Sequence, residues 1–218
     1  MAELLLVRHG ETEWTLSRRH TSYTDLPLTA NGEDQARAVA AVLARHTITL
    51  ALTSPLQRAK RTAELAGLRH AQVDRNLHEW DYGGYEGLTS VEIRSSRPGW
   101  ALWTDGVASG PDRHPGESPQ QVGARADRVL ARIRPLLDDF THGDVVLVAH
   151  GHLLRVLAAR HLGLPPAAGA LFRLDTGTIS TLATEHGRPV IYRWNATPPS
   201  LSPQVDHGAR QAAVQGAH

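Results

Sequence analysis

Four apolar residues in succession, Leu4-Leu5-Leu6-Val7, run directly into Arg8-His9-Gly10. An apolar run without alternation is the pattern of a strand buried on both faces, as in a parallel sheet covered by helices. Such a strand delivers Arg8 and His9 at its C-terminal edge, where Gly10 lets the chain turn sharply away. Ligands of open α/β sheets sit at that edge. A permanent cation beside an imidazole there suits an anionic substrate and a nucleophile or acid–base. The plainer explanation is a strand that happens to end in two polar residues. The choice between them turns on whether other segments converge on His9.

Several do. A polar stretch from Glu13 to Pro27 reads as a long irregular loop, of the kind that more often serves function than connection. A helix is predicted from Leu28-Thr29 to about Arg45, on the stripe Ala36, Val39, Ala40 and Leu43. The second strand, Ile48 to Thr53, ends in the helix-start signal Ser54-Pro55, so Arg58 falls in the first turn of a helix over Leu56 to Ala66. A short third strand covers about Ala71 to Asp74. The glycine- and aromatic-rich run Leu77 to Gly87 reads as a structured loop carrying Glu79 and Glu86. Leu88 to Pro115 reads as short helical pieces and loop, with Trp100 and Trp103 packing beneath it. Ser118-Pro119-Gln120-Gln121 is a capping box that opens a helix, which Pro135 should kink or end early. A second apolar strand, Asp144 to Ala149, runs into His150-Gly151-His152 and a helix from about Leu153 to Leu162. Strands near Thr178–Thr184 and Pro189–Trp194 flank His186-Gly187 as a hairpin.

Alternating strands and helices give the fold class: α/β, a three-layer sandwich with a mainly parallel central sheet flanked by helices and a late antiparallel hairpin. The chain of 218 residues is expected to form one domain over residues 1–195, with residues 196–218 as a flexible tail of Pro, Ser, Gln, Gly and Ala. A formal net charge of +1 offers no bulk attraction to nucleic acid or an anionic membrane. No apolar segment is long enough to span a bilayer, and the acidic Glu3 and short apolar run argue against a signal peptide, so a cytoplasmic protein is expected. The absence of cysteine removes disulfides, thiol catalysis and thiolate metal sites. Nothing in the sequence decides oligomeric state, and a homodimer is allowed.

His9, Arg58, Glu79 and His150 then lie at one sheet edge or on loops that reach it. Arginine offers planar charged donors matched to phosphate oxygens, so Arg8 and Arg58 can clamp a phosphoryl group from two sides. An imidazole can attack phosphorus in line, while a carboxyl group protonates the departing oxygen and later takes a proton from water. Cationic side chains can supply the electrostatic stabilisation, so neither metal nor cofactor is called for. His150-x-His152 is the one hint of a metal site, and no carboxylate cluster or second histidine pair accompanies it.

The blocks LVRHGET, TSPLQRAKRTA, LHEWDYGGYEG, PGES and VAHGH, in this order, resemble the histidine phosphatase superfamily, which includes cofactor-dependent phosphoglycerate mutases and many acid phosphatases. The resemblance runs to about Asn195 and is greatest to actinobacterial broad-specificity acid phosphatases, through EWDYGGYEGLT and PGWALWTDG. It implies that His9 becomes phosphohistidine, that Arg8, Arg58 and His150 complete the phosphate pocket, and that Glu79, rather than Glu86, is the proton donor and acceptor. It also places Thr15, Thr21 and Ser22 at the substrate, Thr15 with a hydroxyl where relatives carry an amide. The implied activity is hydrolysis of a small-molecule phosphate monoester. The alternatives are a phosphoglycerate mutase and a catalytically silent phospholigand-binding module. A silent module should lack one of the four central residues. A mutase should carry paired arginines after the acidic loop, where Arg97 to Pro115 has only Arg97 and Arg113, with Trp100 and Trp103 making an apolar rim.

Overall fold

The computed structural model describes residues 2–139 and 143–199. A six-stranded sheet forms its middle layer, in the order β3-β2-β4-β1-β5-β6. The strands are β1 (Leu4–Arg8), β2 (Ile48–Thr53), β3 (Gln72–Val73), β4 (Asp144–Ala149), β5 (Ile179–Glu185) and β6 (Arg188–Ala196). The first four run parallel, and β5 and β6 add antiparallel at one edge. Leu4 to Val7 pair with Val145 to Val148 on one side and with Leu182 to Ile179 on the other, so β1 is central.

Burial on both faces explains the unbroken apolar runs. Leu4, Leu6, Val145 and Leu147 point to one side, into a core shared with α6 (Pro119–Asp138) and α7 (Gly151–His161). Leu5, Val7, Val146 and Val148 point to the other, against α2 (Ala30–Leu43) and α3 (Gln57–Leu65). Each fully buried side chain of this size contributes about 1.5–3 kcal/mol. The strand that ends at His9 is therefore the best-anchored segment of the chain.

Local chemistry sets the element boundaries. Thr29 caps α2 through Gly32 N, and Ser118 with Gln121 forms the expected capping box at α6. The polar loop after β1 is less irregular than its sequence suggests. Thr12 and Thr15 make a capping box of their own and wind a one-turn helix, α1 (Glu13–Leu16). Two further short helices, α4 (Ser90–Ser96) and α5 (Leu102–Asp105), occupy the segment read as helical pieces. Pro135 does not end α6, which continues to Asp138. It stands in the last turn, where few intrahelical bonds remain to be broken. The hairpin turns on His186 and Gly187, both at positive φ (49° and 75°), a two-residue geometry that matches strand twist. The proposed tail falls outside the described residues from residue 200 onward.

Candidate active site

β1, β4 and α3 bring three of the expected residues together at the C-terminal edge of the parallel strands. The backbone N–H of His9 donates to Ala149 O at 3.0 Å, which pins the residue between β1 and β4. Its Nδ1 lies 2.7 Å from the carbonyl oxygen of Gly10. A carbonyl can only accept, so the proton is on Nδ1 and the neutral ring carries its lone pair on Nε2. Burial, then the charges of Arg58 and Arg8, hold the His9 pKa well below the ordinary histidine value. The ring is a neutral base with one nitrogen free.

Gly10 is needed for that arrangement. A Cβ there would stand 2.1 Å from the carbonyl oxygen of Gly32, in the first turn of α2, and one on Gly32 would stand 2.1 Å from Glu11 O. Two backbones touch, and Gly10 N donates to Thr62 Oγ1 at 3.1 Å.

His150 is fully buried, with its ring 5.0 Å from that of His9. Arg58 Nε donates to its Nδ1 at 3.3 Å, so Nε2 carries the proton and donates to Ser54 Oγ at 2.7 Å. Burial, followed by Arg58, keeps this imidazole neutral too. Arg58 is itself buried and does not present a free fork. Besides His150 it donates from Nη1 to Thr24 O (3.0 Å) and from Nη2 to Thr21 O (3.2 Å) and Ser22 O (3.0 Å). Arg8 differs. Nη1 donates to Leu174 O, but Nε is buried and has no partner. A buried guanidinium nitrogen without a hydrogen-bond partner among the described residues is uncommon in a folded protein.

Glu79 reaches the cleft on the loop after the single turn Arg75–Leu77. Its Oε1 accepts from Trp80 N (2.8 Å) and Leu153 N (2.9 Å), and its Oε2 from His152 N (3.1 Å). The residue that caps α7, His150, makes no side-chain cap, and Glu79 takes the first-turn amides instead. The loop is clamped from behind by Arg125 on α6, which bonds the carbonyls of Asn76, His78 and Glu79 and forms a two-pronged pair with Glu117 at 2.7 Å. Glu86 serves the opposite loop, accepting from Ser22 N (2.9 and 2.8 Å) and Thr24 N (3.1 Å).

The cleft has a volume of about 340 Å³ and is lined by Arg8, His9 and Glu79, among others. Thr15 and Thr21 also line it, but their hydroxyls are engaged: Thr15 Oγ1 with the backbone of Thr12, Thr21 Oγ1 with Arg19 O. Ser22 faces a neighbouring cleft. Among the lining residues, the sequence gives Tyr82 and His20 no role of their own, reads His152 only as a hint of metal with His150, and leaves Arg155 outside the site. His152 and Arg155 lie one helical turn apart on α7, and that spacing after the VAHGH block was the available signal. Trp100 and Trp103 do not form an apolar rim. Trp100 is 2 % exposed with Nε1 on Gly106 O, and Trp103 lies beneath the Arg155 guanidinium at 4.6 Å.

His150 and His152 do not converge on a metal, because His152 Nδ1 turns away to Tyr82 OH at 2.6 Å. Among the described residues, Glu3, His46 and Asp144 place ligand-type atoms within 4.8 Å of one another at the opposite end of the sheet. There His46 Nδ1 already pairs with Asp144 Oδ2 at 2.7 Å.

Residues 4–197 match the profile of the histidine phosphatase superfamily, branch 1. The chain is 41% identical over 186 residues to an acid phosphatase of Mycobacterium tuberculosis, spanning 84% of this chain and 87% of that protein. It is 37% identical over 185 residues to a probable phosphoglycerate mutase of Serratia proteamaculans, spanning 83% and 84%. A solved structure of an open reading frame product from Mycobacterium tuberculosis superposes with a TM-score of 0.82 at 39% identity, covering 91% of this chain and 99% of that one.

Proposed function

The chain belongs to the histidine phosphatase superfamily, whose phosphatases and mutases act on small phosphate substrates, and on that premise we propose that it is a metal-independent phosphomonoesterase working through a phosphohistidine at His9. The observation that carries the reading is the Nδ1–H to Gly10 O bond, which leaves Nε2 of a neutral, buried imidazole free in a cationic cleft.

In the first step His9 Nε2 attacks phosphorus as the ester P–O bond breaks, and the departing oxygen takes a proton from Glu79. In the second, water attacks the phosphohistidine and gives a proton to Glu79. The P–N bond breaks, inorganic phosphate leaves and the imidazole is restored. Arg8, which lines the cleft, and the buried charge of Arg58, which bonds His150 beside His9, stabilise the charge that develops on the phosphoryl oxygens. Guanidiniums in these positions supply what a divalent cation supplies in other phosphatases.

Rapid quench into alkaline detergent during turnover of a labelled substrate tests the mechanism. An acid-labile, base-stable phosphoryl group should be found on His9. A His9→Ala protein that folds normally should lose at least about a thousandfold in kcat. Turnover close to that of the wild type in this variant would overturn the mechanism.

A further inference from the structure

The charge in the cleft exceeds what one phosphoryl group needs, and the surplus is arranged. Four arginines line it, Arg8, Arg18, Arg19 and Arg155, against one carboxylate, Glu79. Among the described residues, Arg8, Arg18, Arg58 and Arg155 form no ion pair with any carboxylate. Three of them are held by neutral carbonyls instead. Arg155 donates from Nε to Gly169 O at 2.9 Å and from Nη2 to Ala170 O at 3.2 Å while lying over Trp103. Carbonyl partners and a ring face fix a guanidinium's direction without cancelling its charge.

The histidines do not balance the account in either direction. Burial holds His20 and His152 below the ordinary histidine value, so they stay neutral donors or acceptors. Arg8 in the cleft and the buried charge of Arg58 beneath it together offset a phosphate dianion. Arg155 and Arg18 are left over. Arg18 is exposed, has no hydrogen-bond or ion-pair partner for its side chain among the described residues, and sits at φ 57°, a left-handed conformation uncommon for a side chain of its size. Its backbone N–H bonds Thr15 O at the end of α1, which turns the residue onto the cleft. Arg19 adds less, because it bonds Gly87 O and stands 3.8 Å from Glu92.

We propose that the leaving group of the physiological substrate carries a second anionic group, a carboxylate or another phosphate, which Arg18 and Arg155 receive while the scissile phosphoryl group lies on Arg8 and His9. The inference rests on the phosphomonoesterase reading and narrows it to doubly anionic substrates. It also moves the cationic determinants away from Arg97 to Pro115, where the paired arginines of a mutase were sought. Arg97 there is spent on Tyr85 OH, and Arg113 lines the neighbouring cleft.

A matched pair of substrates tests it: 3-phosphoglycerate and glycerol 3-phosphate, which differ in a carboxylate against a hydroxymethyl group. The wild type should prefer the acid by about tenfold or more in kcat/KM, the effect of a charge-assisted hydrogen bond. Arg18→Ala should cut that preference by roughly threefold and Arg18→Glu by more, with Arg18→Lys restoring most of it. Arg37→Ala, an exposed arginine on α2, serves as the control for net charge and should leave the ratio unchanged. Equal kcat/KM for the two substrates in the wild type, or a preference that survives Arg18→Glu, would overturn the inference. p-Nitrophenyl phosphate separates this outcome from failure of the underlying reading. A wild type that does not hydrolyse even that ester refutes the phosphatase assignment, whereas one that hydrolyses it without discriminating the pair refutes only the second-anion site.

Discussion

At the scale of single residues, the site depends on keeping two imidazoles neutral and one carboxyl group aimed. Burial and the neighbouring arginines hold the His9 pKa well below the ordinary histidine value, so on the proposed mechanism its protonation should not reduce kcat/KM as pH falls through the usual histidine range. The two acidic candidates separate by what they hold. Glu79 lies in the cleft on three backbone amides, whereas both oxygens of Glu86 are committed to the Ser22–Thr24 loop. Glu79→Gln should therefore lower kcat by about a hundredfold or more for alkyl phosphates and much less for p-nitrophenyl phosphate, whose leaving group needs no proton. Glu86→Gln should show no such dependence on the leaving group. The reverse pattern would move the acid to Glu86. Sequence alone located His9, Arg58 and His150 because each ends a strand or opens the helix after it. Thr15 illustrates what sequence does not show: its hydroxyl lines the cleft but is engaged in the capping box with Thr12.

At the scale of elements, the parallel strands were legible because burial on both faces leaves no alternation, and α2, α3, α6 and α7 because of their stripes and caps. The segment from residue 75 to 117 was not, since its order comes from distant partners rather than period. Trp80 is buried with Nε1 on Glu117 O, and Arg125 on α6 holds the loop carbonyls of Asn76, His78 and Glu79. Burial alone would raise the Glu117 pKa, but Arg125 outweighs it and keeps the carboxylate charged. Arg125→Met would leave that charge buried and unpaired, at a cost of about 3–5 kcal/mol in chemical denaturation. Adding Glu117→Gln, which keeps an acceptor for Asp81 N, should recover much of the stability. It should not restore kcat for alkyl phosphates, because the loop carrying Glu79 stays unclamped. Full recovery of both would show that Arg125 supports the fold alone.

For the whole molecule, the cluster of neutral buried histidines sets the response to acid. His20 is lowered to about 4, and His9, His150 and His152 lie well below their ordinary value, in each case first because of burial. An unfolded chain takes up these protons near pH 6.5 while the folded one refuses them, so stability is greatest above that pH and is lost as pH falls below it. The thermal midpoint should drop steadily between pH 7 and 5, in steps too early to be carboxylate titration. A midpoint that holds level to pH 5 would contradict these burial effects.

Arg58 carries two duties in one group. Its guanidinium is the brace of the Thr21–Thr24 loop, held through three carbonyl oxygens, and its Nε bonds His150, whose ring lies 5.0 Å from that of His9. The shape of that loop and part of the charge that helps keep both imidazoles neutral therefore hang on a single side chain, and neither can be altered at that position without the other.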